Sequence, residues 1–317
     1  MMSRLTMIAL LGIGVLCTPA FGANSARPGT LNYIEGVAYL GGMQLTEKDV
    51  GSIELNAGET LTTQEGKAEI LLIPGVFLRV GDHSSVKMIS PDITLTRVEL
   101  VQGRAGVEVD EVYPQNDLQV IDGGVTTQLV KTGYYEFEAQ PATAMVFKGK
   151  AAVEVSDGKY KVVKGHHEIA LAEGAREKSV NFDAQGTEDE LYNWSSLRSE
   201  YLSEANNQIA GDYVGATGFN PGWYWDPYMW DYTFVGMGPL WSPFGFGFYP
   251  PWWGGYYGGG FYGRGRYGRG LVSRGYGGRG YSGHGYGGGG RGGGGFGGGS
   301  HGGGGFGGGS HGGGGHR

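Results

Sequence analysis

GKAAVEV at 149–155 reads as a fragment of β-strand, and near copies stand at GRAGVEV (103–109) and GKAEILL (66–72). Each copy runs glycine, a basic residue, alanine, then apolar residues at alternate or successive positions. Period-two alternation is the pattern of a strand with one buried face. Glycine at the head admits a backbone conformation closed to other residues. The Lys or Arg that follows is expected to keep the first outward position in water. The Ala is expected to fit a tight inward position, with Val, Ile or Leu filling a core beyond it. The copies begin 37 and 46 residues apart, a spacing at which supersecondary units stack on one another. A weaker fourth copy is GVAYL at 36–40. The repeat is a folding device that carries no chemistry of its own.

Outward from these copies, alternation dominates from Leu31 to Leu171. Pro74-Gly75, Gly81-Asp82 and Asp157-Gly158 punctuate it as turns. Asp157-Gly158 separates Ala151–Val155 from Tyr160–Val163, the clearest hairpin in the chain. About a dozen short strands follow at spacings that predict an all-β roll, sandwich or short β-solenoid.

The segment IELNAGETLTTQEGKAEILLIPGVFLRVGDHSSVKM (53–88), with RVELVQGRAGVEV (97–109) and the later KGKAAVEV and VKGHHEIAL, resembles a FecR-type domain. The resemblance rests on glycine-punctuated strands and on a Gly-x-x-x-Val-x-Val line, and covers roughly residues 30–172. It implies an all-β domain of repeated short strands outside the cytoplasm. The best-known members of that family are envelope regulators that relay an iron-siderophore signal to a sigma factor. Such a relay needs a cytoplasmic helical segment and a transmembrane helix, and the expectation here is that the fold carries over while the relay does not.

The N-terminus, MMSRLTMIALLGIGVLCTPAFGANS, supplies Arg4, an apolar run from Met7 to Cys17 too short for a stable span, and Ala20-Phe21-Gly22 before an expected cleavage. Residues 1–22 therefore read as a signal peptide. Cys17 follows Leu16, where a lipobox needs a small residue, so no lipid anchor is expected. Cys17 is also the single cysteine of the 317 residues, which leaves no disulfide and no thiolate site in the exported chain. The formal charge of -7 hides a split. No acidic residue follows Asp231, while seven arginines do, so residues 1–231 carry -14. An acidic body bears a basic tail.

Five segments result: 1–22 signal peptide, 23–180 FecR-like β domain, 181–211 amphipathic helix, 212–262 aromatic, Pro- and Gly-rich arm, and 263–317 Gly/Arg-rich tail. For the helix, Thr187 and Glu190 read as a capping box. Leu191, Trp194, Leu197, Tyr201, Ala205 and Ile209 form its apolar stripe, and Gly211 its stop. The stripe is expected to dock on the β domain; a partner groove is the other reading. In the arm, six of the seven tryptophans fall between Trp223 and Trp253, among prolines that forbid long regular elements. It reads as a strap laid over the β domain, or as an exposed platform of Trp223, Trp225, Trp230, Trp252 and Trp253 for a glycan or membrane interface. The prolines exclude a spanning helix between Phe234 and Trp253. From Tyr256 glycine dominates, and GGGGFGGGSH occurs twice (292–301 and 302–311), a composition that predicts disorder. Arg264, Arg266, Arg269, Arg274 and Arg279 are its candidate contacts to an anionic envelope polymer.

Several strings imitate chemistry. Ser84-x-x-Lys87 with Lys131-Thr132-Gly133 follows the order of penicillin-recognising serine enzymes, but the serine enters a strand where a helix is required. His284, His301, His311 and His316 sit on a glycine chain that preorganises no metal site. His166-His167 read as strand neighbours facing opposite ways. The Arg-Gly-Tyr tail has the composition of RNA-binding tails, yet an exported chain meets little RNA. These observations point to an exported, non-enzymatic binding or scaffolding protein of the cell envelope, periplasmic or extracellular. No cofactor and no nucleic-acid partner are expected. The alternative is an envelope signalling regulator related to the iron-transport sigma-factor regulators.

Overall fold

A computed structural model of the chain describes residues 26–156, 158–172, 178–214 and 219–253. All of them belong to the unit Met1–Tyr262. The strands run β1 (Leu31–Leu40), β2 (Met43–Gln44), β3 (Thr60–Leu71), β4 (Val76–Val80) and β5 (Ser85–Pro91). Next come β6 (Leu95–Gln102), β7 (Arg104–Val109), β8 (Asp117–Asp122), β9 (Val125–Leu129) and β10 (Gly133–Ala139). Then follow β11 (Ala142–Lys148), β12 (Lys150–Ser156), β13 (Lys159–Lys164), β14 (His167–Ala170) and β15 (Val180–Asn181). Two helices, α1 (Ala184–Thr187) and α2 (Glu190–Asp212), precede two small hairpins. These are β16 (Gly222–Asp226) with β17 (Asp231–Val235), and β18 (Leu240–Trp241) with β19 (Gly247–Phe248). The fold is all-β with one long helix.

β1 to β15 form one sheet that is folded over on itself. Its first half runs β13-β12-β9-β8-β6-β5, its second β4-β7-β10-β11-β14-β15. β3 belongs to both, since Thr60–Thr62 pair with β5 and Ala68–Leu71 with β4. β1 follows β3 along its length. One apolar cluster, with Leu61, Ile70, Leu78, Val98, Val107, Val120, Phe137 and Val153 among its members, fills the space between the halves. The parallel pairing of β6 with β8 has the same origin, because the chain crosses to the other half as β7 before it returns.

The repeated Gly-basic-Ala motif marks where the chain crosses. Gly103 leads from β6 to β7 and Gly149 from β11 to β12, each from one half to the other, at φ +73° and +105°. Only glycine takes such angles without strain. Gly66 differs: it lies within β3 at the bend, and a Cβ there would strike the Glu35 carbonyl and the Val37 amide of β1. Its requirement is close approach. The weaker copy at 36–40 supplies the facing bulge, with Gly36 at φ +68°. Ala68, Ala105 and Ala151 all sit in the core, at the tight inward position expected of them.

The basic residues of the motif correct the expectation of an outward, wet position. Lys67 is buried, and its Nζ lies 2.7 Å from Glu190 and 3.3 Å from Asp82. Arg104 pairs with Glu136 at 3.0 Å and with Asp189. Both copies thus hold the first residues of α2 against the sheet. The helix start also moves: Asp189 is the N-cap, its carboxylate accepting from the Tyr192 amide at 2.8 Å, whereas Thr187 closes α1. α2 ends at Asp212, one residue past the expected glycine stop.

Candidate functional site

The outward face of the second half carries charge where solvent does not reach. Alternation along β3, β4, β7 and β10 sends Ala68, Ile70, Leu78, Val80, Val107 and Phe137 inward, and so Glu69, Arg79, Glu108 and Glu136 outward. Glu69 and Arg79 are register partners, Arg79 faces Gly106, and Gly106 faces Glu136, which makes one row across four strands. Gly106 leaves the space that the Tyr134 hydroxyl enters. α2 and the β16–β17 hairpin cover this row, so all four charged residues are fully buried.

Burial of charge costs several kcal/mol per ion unless it is paired and hydrogen-bonded, and here nearly every group finds a partner. Arg79 Nε donates to Glu69 Oε2 at 2.9 Å, and its Nη1 to Glu108. From α2, Arg198 Nη2 reaches Glu69 Oε1 at 3.0 Å and Asp231 Oδ2 of β17 at 2.8 Å, while its guanidinium stacks 4.1 Å over the Tyr33 ring. The Ser199 hydroxyl donates to Glu108 at 2.6 Å. The Tyr134 hydroxyl donates to Glu136 at 2.8 Å and lies 3.0 Å from the Ser195 hydroxyl. Asn32 ties β1 to both layers, donating to Glu69 at 2.8 Å and accepting from the Tyr232 amide at 2.6 Å.

Carboxylates outnumber guanidiniums in this interlayer, and their protonation follows. Burial pushes Glu69 up, but Arg198 and Arg79 outweigh it and hold the carboxyl below its ordinary value. Glu136 is pushed up to about 8 by burial and by nearby Asp189, with Tyr134 and Arg104 opposing. Burial raises Asp231 to about 6 against the pull of Arg198. Asp110, buried beside Glu108, is raised well above the usual carboxylate range.

The helix face that meets the sheet is largely polar. Ser195, Arg198, Ser199, Ser203 and Asn206 are buried there with Leu191, Leu202 and Ile209. Leu197 and Tyr201, expected in the docked stripe, are exposed. The small polar side chains hold arm backbone: Ser203 donates to the Gly247 carbonyl at 2.7 Å, and Asn206 donates to Phe234 O at 2.8 Å and accepts from the Tyr249 amide at 2.7 Å. Serines at 195, 199 and 203 recur every four residues, a signal that a search restricted to apolar periodicity misses.

The arm's aromatic residues separate into two sets. Trp223 packs edge-on against Phe77 at 5.1 Å and Trp225 against Tyr232 at 5.1 Å, so both are half-buried supports of the hairpin. Trp230 is 70% exposed and Tyr228 76%, at the tip between β16 and β17. The tip is held by Asp226, which accepts from the Tyr228 amide at 2.8 Å, and Trp230 takes φ +56°, uncommon for a residue with a side chain. Trp252 and Trp253 are also exposed, as is Trp241. Trp252 meets Phe219 edge-on, and Trp253 lies parallel to Tyr249. Arg264, Arg266, Arg269, Arg274 and Arg279 lie outside the described residues, as do the expected signal peptide and the tail histidines.

The remaining strings take structural places. The Ser84 hydroxyl donates to Asp82 O at 2.7 Å and accepts from the Arg104 amide at 2.8 Å, which fixes the corner beside Gly103. Lys87 sits at an odd offset along the extended chain, and Lys131-Thr132-Gly133 leads into β10 of the other half. His166 is not in a strand; it takes φ +64° in the turn before β14, with His167 as that strand's first residue. Among the described residues no group of three or more His, Cys, Asp or Glu is placed to hold a metal, and no helix is long and apolar enough to cross a membrane. Compared with protein-family models and with curated proteins, the chain matches none of either.

Proposed function

We propose that this protein is an exported, non-enzymatic binding or scaffolding protein of the cell envelope, in which a FecR-like β domain displays an aromatic arm to an envelope protein, glycan or anionic polymer. One observation carries the reading: Tyr228, Trp230, Trp241, Trp252 and Trp253 are exposed on an arm anchored through the buried Arg198–Asp231 ion pair. Large exposed rings are uncommon on a surface that serves only solubility, and Trp and Tyr combine an apolar body with a polar handle suited to recognition. The positive φ of Trp230 is a backbone strain of the kind found at binding sites. The arginines of the tail are a separate electrostatic route to an anionic polymer.

The test is a pull-down of the full mature chain on isolated envelope polymer at low and high salt. Binding through rings resists salt and fails for Trp252→Ala/Trp253→Ala and for Trp230→Ala. Binding through the tail weakens steeply with salt, since exposed charges are screened beyond about 10 Å at 0.1 M, and is lost when the seven arginines become Gln. Retention by neither route, or equal retention by all variants, rejects the reading. N-terminal sequencing of the purified protein checks export, with a start near Ala23 expected.

A further inference from the structure

We propose that Asp226 and Asp231 form a proton-dependent latch on the aromatic tip, which is held closed in acid and loosens towards neutral pH. The two residues are register partners at the closing pair of the β16–β17 hairpin, so their side chains lie on one face. Both are fully buried. Asp226 Oδ2 and Asp231 Oδ1 meet no hydrogen-bond donor among the described residues. Like charges directly opposite each other destabilise strand pairing, and burial removes the water that would screen them. Asp226 is also the clamp of the tip. Its Oδ1 accepts from the Tyr228 amide at 2.8 Å and its carbonyl from the Trp230 amide at 2.9 Å, which holds Trp230 at φ +56°. Asp231 is tied elsewhere, since Arg198 donates to its Oδ2 at 2.8 Å.

Positive charge around the pair falls short of two anions. From α2 comes Arg198, whose Nη2 also serves Glu69 of β3, and Glu69 is shared in turn with Arg79 of β4. From β1 come Asn32 and Tyr33, and burial raises the Tyr33 hydroxyl, which stays neutral across this range. Burial lifts Asp231 to about 6 against the pull of Arg198, with Glu69 and Asp226 adding to the rise. The closed tip therefore keeps a proton on Asp231 in acid. Once that proton leaves, a second anion faces the Asp226 carboxylate, and the repulsion falls on the clamp because Arg198 holds Asp231 in place. A group that binds its proton more tightly in the closed form drives opening as pH rises. The drive runs from the exposed value near 3.8 to the closed value of about 6, and levels above it.

The latch regulates the rings read above as a binding surface and rests on that reading for its use, but its test needs no ligand. Amide exchange of the full mature chain reads the tip directly, with protection expressed relative to the free-peptide rate at each pH. Protection of the Tyr228, Met229 and Trp230 amides should fall roughly tenfold from pH 5 to pH 7 and then level. Asp231→Asn removes the titrating group and should leave no fall. Asp226→Asn keeps the Oδ1 acceptor, removes the facing charge and should reduce the fall below about threefold. A larger fall in that variant means that burial of Asp231 acts alone, and overturns the latch. So does a fall that persists in Asp231→Asn, and so does protection in the unaltered chain that is flat or rises with pH. The unaltered profile tests the proposal however the variants fold. A flat profile beside intact ring-dependent binding rejects the latch and leaves the binding surface standing.

Discussion

The β domain is packed on both sides of its second half, and the two sides are built from opposite materials. Inside, between the two halves of the sheet, Ile70, Leu78, Val107 and Phe137 belong to one apolar cluster. Outside, the very next residues, Glu69, Arg79, Glu108 and Glu136, form ion pairs beneath α2 and the arm, with Arg198 of the helix joining Glu69 to Asp231. Apolar packing is non-directional and tolerates many arrangements of similar volume. A buried ion pair tolerates one, because a misplaced partner leaves a charge without compensation. The inner core therefore supplies stability, and the outer layer selects a single seat for the helix and arm.

Leu78 and Arg79 allow the sharpest attempt to break that distinction, since they are adjacent on β4 and face opposite sides. Arg79→Met strands two buried carboxylates and should cost about 3–5 kcal/mol. Leu78→Ala should cost about 2–5 kcal/mol through its cavity. Chemical unfolding measures both; a cost for Arg79→Met near zero would mean that the outer layer is not closed in solution. Arg198→Met is next, at about 3 kcal/mol, and its effect should be local. Amide exchange in β16 and β17 should quicken while β3 and β7 stay protected, because Arg198 joins helix to hairpin and Arg79 still joins the strands.

Buried acids make stability depend on pH, and two of them lie on the outer side. Asp231 at about 6 and Glu136 at about 8 lie above their unfolded values near 3.8 and 4.5. The folded state thus holds more protons than the unfolded between those limits, so stability falls as pH rises from about 4 to about 8. Thermal melts at pH 5 and pH 8 should show the higher midpoint at pH 5. Asp231→Asn should flatten the lower part of that slope by about 1–3 kcal/mol. A midpoint that rises across this range refutes the buried placement of both acids.

Smaller effects test where the boundary runs. Ser84→Ala deprives the Arg104 amide of its acceptor at the corner and should cost about 1–2 kcal/mol in a denaturant melt, with the β spectrum unchanged. Leu197→Ser and Tyr201→Ser touch neither side and should stay within about 0.5 kcal/mol. A larger loss from the helix pair would show that those residues are covered in the folded chain.

The linear chain was enough to decide the all-β class, the hairpins at Pro74-Gly75 and beside Gly158, the inward alanines and the presence of a helix near 190. Each is a local property: alternation sorts side chains between two faces, and glycine admits turns that other residues resist. It also showed aromatic residues crowded into 223–253, but not that Trp223 and Trp225 support the hairpin while Trp230, Trp252 and Trp253 face water. Only the folded chain decided that the Gly-basic-Ala motif marks corners, that Lys67 and Arg104 seat α2, and that the helix docks through Ser195, Arg198, Ser199 and Asn206. The reason is physical. A charged residue in a strand reads as solvent-facing until something covers it, and Glu69 is separated from Arg198 by more than a hundred residues. Their pairing is a fact of space, set when the sheet folds over and the helix arrives, and no period in the sequence carries it.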